Sequence, residues 1–75
     1  MQLDRLLSDA TGLPAEWSRN ARQTALSVML NQRHAPAVIS PKGVAKWFER
    51  GTIPGRWLIR IAVLTNPPLN LSQYS

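Results

Sequence analysis

The sequence predicts an all-α fold in which four helices surround one core, and three observations carry the prediction. Apolar residues recur at helical spacing in four separate stretches, the pattern of helices that each bury one face. Glycine and proline punctuate the chain between them, at Gly12-Leu13-Pro14, at Pro36, from Gly51 to Pro54 and at Asn66-Pro67-Pro68. Strand-like alternation is confined to Leu69 through Ser75, so a short C-terminal strand and an extended tail are the alternatives there. The 75 residues make one domain close to the lower limit for a self-sufficient core. Residues 1–66 form that domain, and residues 67–75 form a tail that is a candidate dimerisation segment.

The first helix runs from about Gln2 to Ala10, with Leu3, Leu6, Leu7 and Ala10 on one face and Gly12 as its stop signal. The leucines read as ordinary core, with a dimer seam as the alternative. The second helix is expected to open at Pro14, a residue suited to the first helical position, with Glu16 favourable in the first turn. Its inner stripe is read as Trp17, Ala21, Thr24, Ala25, Val28 and Met29, ending near Asn31 or Arg33, with Arg19, Arg22 and Gln23 off the stripe. From Gln32 to Ile39 the chain is too long for a tight connection, and Pro36 disfavours helix at Ala35. Val38 and Ile39 are expected to tuck into the core and fix this loop, while His34 reads as a solvated loop residue or a phosphate contact.

The third helix has the strongest local signals. Ser40 suits the N-cap, Pro41 the first helical position and Gly51 the left-handed residue that ends a helix. Val44, Trp47 and Phe48 form its apolar stripe, whereas Lys42, Lys46 and Arg50 recur every four residues on another face. Pro54 opens a fourth helix, with Trp57, Leu58, Ile61, Ala62 and Leu64 inward and Arg56 and Arg60 one turn apart. The expected core is Leu3, Leu6, Leu7, Trp17, Ala25, Val28, Val44, Trp47, Trp57, Leu58 and Ile61.

Residues 40–54 follow the pattern S-P-x-x-V-x-x-W-x-x-x-G-x-I-P, and the stretch 40–57 resembles the recognition half of Cro/repressor-like helix-turn-helix proteins, the small phage and antitoxin-like repressors in particular. The resemblance implies a helix-turn-helix, here with an enlarged turn at Gln32 to Ile39. It also implies sequence-specific binding to double-stranded DNA, the third helix entering the major groove with its N-terminal residues nearest the bases. Lys42 and Lys46 are then the candidate base-contacting side chains, donating to guanine O6 and N7, and Gly43 admits the backbone to the groove. Ser40, Arg50, Arg56, Arg60 and Arg33 are the candidate phosphate contacts. A homodimer on a pseudo-palindromic operator, repressing by promoter occlusion, is the expected mode of action.

Charge supports this placement. Residues 1–33 carry four cations against three acids, and residues 34–75 carry five cations against Glu49 alone. The isoelectric point is about 11.3, and the excess lies where the resemblance lies. With no cysteine and one histidine there is no expected metal site and no disulfide. The four acids give no paired-carboxylate pattern, Ser27 and Ser40 no triad spacing and the glycines no phosphate loop, so no enzyme activity, catalytic residue, cofactor or small-molecule ligand is expected. No apolar run reaches the length of a membrane span and Met1-Gln2-Leu3-Asp4 does not read as a signal peptide. The expected location is therefore the cytoplasm, of a bacterium or a phage-infected host. The rival reading is a protein-interaction module on the same scaffold, binding an acidic partner through exposed Trp47, Phe48 and Trp57.

Overall fold

The computed structural model describes residues 2–74 and is all-helical, with four α-helices and no strand among those residues. Helix α1 spans Leu3–Thr11, α2 Arg19–Arg33, α3 Pro41–Arg50 and α4 Gly55–Ala62, and one 3₁₀ turn covers Leu71–Tyr74. Helix α2 is the central element, packed against both α1 and α3. Leu3, Leu6, Leu7 and Ala10 of α1, Leu26 and Leu30 of α2, Val44 and Trp47 of α3 and Ile61 of α4 meet in one core.

Helix α1 ends as its glycine predicts. Gly12 takes φ 74° and its N–H donates to the Ser8 carbonyl, a left-handed cap that any Cβ would strain.

Helix α2 departs from expectation at its start and in its rotation. It begins at Arg19, because Ser18 supplies what Pro14 cannot, a side-chain oxygen accepting from the free Ala21 amide at 3.1 Å. Residues 14–17 instead close a turn, with the Trp17 N–H donating to the Pro14 carbonyl. Trp17 is consequently outside the core and 52% exposed. The buried face is Arg22, Gln23, Leu26, Ser27 and Leu30, while Thr24 and Val28 are exposed and Ala21, Ala25 and Met29 half-buried. Two leucines remove more apolar area from water than the alanines and Val28 would, and they set the rotation.

That rotation is feasible only because Arg22 is satisfied where it is buried. Its Nε donates to the Trp17 carbonyl at 3.2 Å, Nη1 to Ser8 Oγ at 2.8 Å and Nη2 to Asp4 Oδ1 at 3.1 Å. The side chain therefore ties α1, α2 and the turn between them. Among the described residues no buried side-chain polar atom lacks a hydrogen-bond partner.

The C-terminal segment is neither a strand nor a loose tail. Tyr74 is buried and its hydroxyl donates to Asp9 Oδ2, while the Gln2 amide donates to the Tyr74 carbonyl. Leu69 and Leu71 pack on the core from the same segment. The apolar positions of the alternation thus become anchors for a wrapped segment that lies along its own α1. Ser75, the last residue of the alternating run, lies outside the described residues, as does Met1.

Candidate nucleic-acid interface

Helix α3 is delimited at both ends by hydrogen bonds that its sequence specifies. Ser40 Oγ accepts from the Gly43 amide at 3.1 Å, and Pro41 occupies the first turn. At the other end Gly51 has φ 76°, its N–H donates to the Phe48 carbonyl, and the Thr52 N–H donates to the Trp47 carbonyl. This pair of bonds is a Schellman motif, which turns the chain sharply toward buried Ile53 and into α4.

The faces of α3 separate as the spacing predicts. Val44 and Trp47 are buried, Phe48 packs partly against the core, and Lys42, Lys46 and Arg50 are exposed. At 100° per residue the three cations centre about 130° from Val44 and Trp47, which turns them away from the core. Glu49 is exposed too, three residues from Lys46, and is the one acid on this front.

Gly43 also has a packing role. It is half-buried, and a Cβ there would stand 2.6 Å from Ile39 Cδ1 and 3.3 Å from Ile39 Cγ1. Its missing side chain makes room for the loop that precedes α3.

The enlarged turn, residues 34–40, is pinned from two sides. Asn31 Nδ2 donates to the Ile39 carbonyl at 2.9 Å, and the Ile39 amide donates to Asn31 Oδ1 at 2.7 Å. The Asn31 amide thereby mimics a backbone partner and fixes the peptide next to the Ser40 cap. On the other side His34 Nε2 lies 3.0 Å from the Arg60 carbonyl, which fixes Nε2 as the donor. His34 is a tie between the turn and α4, not a solvated residue. Ile39 packs on the core as expected, but Val38 is 76% exposed. The restraint expected of Val38 comes from Asn31 and His34.

On α4, Trp57 stacks on Trp47 in a tilted pair with ring centroids 5.6 Å apart. The Arg60 guanidinium lies over the Trp57 ring at 4.6 Å from its centroid. That stack holds Arg60 partly buried, and among the described residues its guanidinium edge has no hydrogen-bond partner. Arg56 is exposed in the first turn of α4. Arg33, at the C-terminal end of α2, lines an open cleft of about 500 Å³ with Val63, Leu64, Thr65, Asn66 and Pro68.

No family model, curated protein or solved structure significantly matches the chain. The site therefore stands on its own geometry.

Ion pairing divides the cations into two groups. Arg5 pairs with Asp9, and Arg19 and Arg22 both pair with Asp4, all on the side of α1. Among the described residues the other six cations, Arg33, Lys42, Lys46, Arg50, Arg56 and Arg60, make no ion pair. The acids are thus committed to holding α1, α2 and the tail together, apart from Glu16 and Glu49. The sequence signals missed here are Asn31, whose partner lies in an irregular loop, and Arg22, whose partners lie on another helix.

Proposed function

We propose that the chain binds double-stranded DNA in a sequence-specific manner, with α3 in the major groove, and acts as a small homodimeric transcriptional regulator that represses by occluding a promoter. The observation that carries this reading is the exposed, unpaired row of Lys42, Lys46 and Arg50 on a helix capped at both ends and packed through its opposite face. Lys42 and Lys46 reach base edges, with guanine O6 and N7 the matching acceptors. Ser40 Oγ accepts from the Gly43 amide, and its own proton remains for a phosphate oxygen. Arg50 and Arg56 hold phosphates, and Arg60 offers the free edge of its stacked guanidinium. Arg33, exposed at the C-terminal end of α2, is the remaining phosphate contact, and Gly43 leaves room for Ile39 while keeping the α3 backbone free to approach the groove.

The rival, an acidic protein bound through exposed aromatics, finds little support in this geometry. Trp47 is 7% exposed, and Phe48 and Trp57 pack partly on the core.

Selection from a random-sequence duplex library at two salt concentrations tests the reading. A palindromic consensus is expected, together with an affinity that falls steeply with salt. Lys42→Ala should cost about 1–3 kcal/mol and relax one position of the consensus. Arg50→Ala should weaken all sequences alike and lower the salt slope by about one unit. Salt-sensitive binding with no consensus would refute sequence-specific recognition. Binding unchanged in a folded Lys42→Ala/Lys46→Ala variant would remove α3 from the interface.

A further inference from the structure

The exposed surfaces of α3 and α4 differ in kind. On α3 the exposed side chains are charged apart from Pro41 in the first turn. On α4 an isoleucine stands exposed among arginines. At 100° per residue Arg56, Ile59, Arg60 and the capping residue Val63 fall within about 100° of one another, centred about 160° from Ile61 and Ala62. Those last two are buried, and Ile59 is 65% exposed. Val63 leads into the cleft it shares with Arg33 and Leu64. A second open cleft of about 290 Å³, also lined by Arg33 and Leu64, continues it along α2. An apolar strip of Ile59, Val63 and Leu64 is thus bordered by the guanidiniums of Arg56, Arg60 and Arg33. Among the described residues none of the three makes an ion pair.

We infer that this face receives an acidic, partly apolar segment of a different protein, its apolar side chains on Ile59 and in the cleft and its carboxylates on the arginines. Charge complementarity selects the partner. A carboxylate takes two parallel hydrogen bonds from a guanidinium. Arg60 is already held over Trp57 at 4.6 Å from the ring centroid, so it loses little freedom when engaged. Ile59 separates a protein from a nucleic acid as the occupant. Phosphates ask only for donors, as the α3 row supplies them, whereas an exposed isoleucine bordered by arginines has the apolar centre and polar rim of a protein interface. A second copy of this chain lacks the matching charge. Of its four acids, Asp4 and Asp9 are engaged on α1 and Glu49 lies among the cations of α3, which leaves Glu16 to face three arginines.

The inference rests on the DNA-binding reading for its consequence, but not for the binding itself. Arg33, Arg56 and Arg60 are phosphate contacts in that reading, so a segment seated on them takes those contacts from the duplex while Lys42 and Lys46 stay free. Occupancy therefore lowers DNA affinity, and the face is where an acidic protein relieves repression. It is a different surface from Trp47 and Phe48, which pack inward.

Selection of peptides from a random-sequence display library on the full chain, at about 0.15 M salt, is the test, followed by affinity measurements with the selected synthetic peptides. The selected sequences should combine Asp or Glu with large apolar residues. Ile59→Gln, an exposed substitution, should keep the helical circular dichroism, weaken the best peptide at least about tenfold and leave duplex affinity unchanged. Ile59→Leu, which restores an apolar side chain, should retain the peptide. The peptide should displace duplex DNA from the wild type and not from Ile59→Gln. A selection enriched in acids alone, or binding indifferent to Ile59→Gln, overturns the inference and leaves only a basic surface. Equal loss of peptide and duplex in folded Ile59→Gln overturns it too, by placing the face against DNA. A peptide that binds without displacing duplex overturns the link to repression. Failure of the DNA-binding reading is separate: a chain that selects no DNA consensus but binds peptide through Ile59 refutes that reading alone. Lys42→Ala/Lys46→Ala should abolish a DNA consensus and keep peptide affinity within about threefold, since these charges are screened at this salt.

Discussion

Replacing Asn31 by alanine removes both hydrogen bonds that hold Ile39 and leaves the Ile39 amide and carbonyl without a protein partner. The two bonds are short, at 2.9 and 2.7 Å, and join a helix to a loop eight residues away. A net hydrogen bond contributes about 0.5–1.5 kcal/mol, so the pair contributes about 1–3 kcal/mol. Asn31 is half-buried and water can reach part of the gap, which favours the lower half of that range. In a domain this small each kcal/mol lowers Tm by about 4–8 °C, so a loss of several to about 15 °C is expected. Urea unfolding followed by circular dichroism reads the change as a lower midpoint with an unchanged m-value. Asn31→Asp discriminates between the two bonds, since the carboxylate still accepts from the Ile39 amide but opposes the Ile39 carbonyl. It should be at least as damaging as alanine. A loss below about 0.5 kcal/mol for Asn31→Ala would refute the argument, because water would then hold the turn as well as the side chain does.

Trp47→Ala removes the buried half of the tilted stack with Trp57 and should cost about 3–5 kcal/mol, against a total of about 5–10 kcal/mol for a domain this size. Thermal denaturation checks this, and a variant as stable as wild type would place Trp47 at the surface. Tyr74 has its pKa raised above 10.0, first by the hydrogen bond to Asp9 and then by burial and the Asp9 charge, with Arg5 opposing. A raised folded pKa contributes stability that is complete below the unfolded value and is lost as pH rises through the folded one. The urea midpoint should therefore fall as pH climbs past 10.0, the ordinary tyrosine value, and Tyr74→Phe should lack this part of the decline.

The legible parts of the fold are those whose signals are local. Ser40, Pro41 and Gly51 delimit α3 through bonds made within one turn, and Gly12 ends α1 in the same way. Helix α2 was less legible because its sequence offers two plausible faces. Spacing alone favours the stripe from Trp17 through Val28, and the choice of Leu26 and Leu30 depends on Arg22 finding Asp4 and Ser8 on another helix. A buried arginine cannot be read from periodicity, since its burial depends on partners distant in sequence. The tail misled for a similar reason. Period-two alternation indicates which residues face inward, but whether they meet a strand or α1 depends on what stands opposite. At the candidate site the exposed cations of α3 were legible, while the Gly43–Ile39 contact and the two ties on the turn were not.

The row on α3 also acts on the free protein. Lys42 and Lys46, and then Lys46 and Arg50, are like charges one turn apart, each pair destabilising a helix by about 0.2–0.5 kcal/mol. Helix α3 keeps its form against this self-repulsion because the Ser40 cap alone returns about 1 kcal/mol. Added salt screens such repulsion over a Debye length of about 10 Å at 0.1 M, within a molecule of 28 × 25 × 22 Å. Ionic strength therefore acts on this chain in two opposite senses. It steadies the unbound fold by quieting the row, and under the proposed DNA-binding reading it loosens the bound polyanion by competing for the same cations.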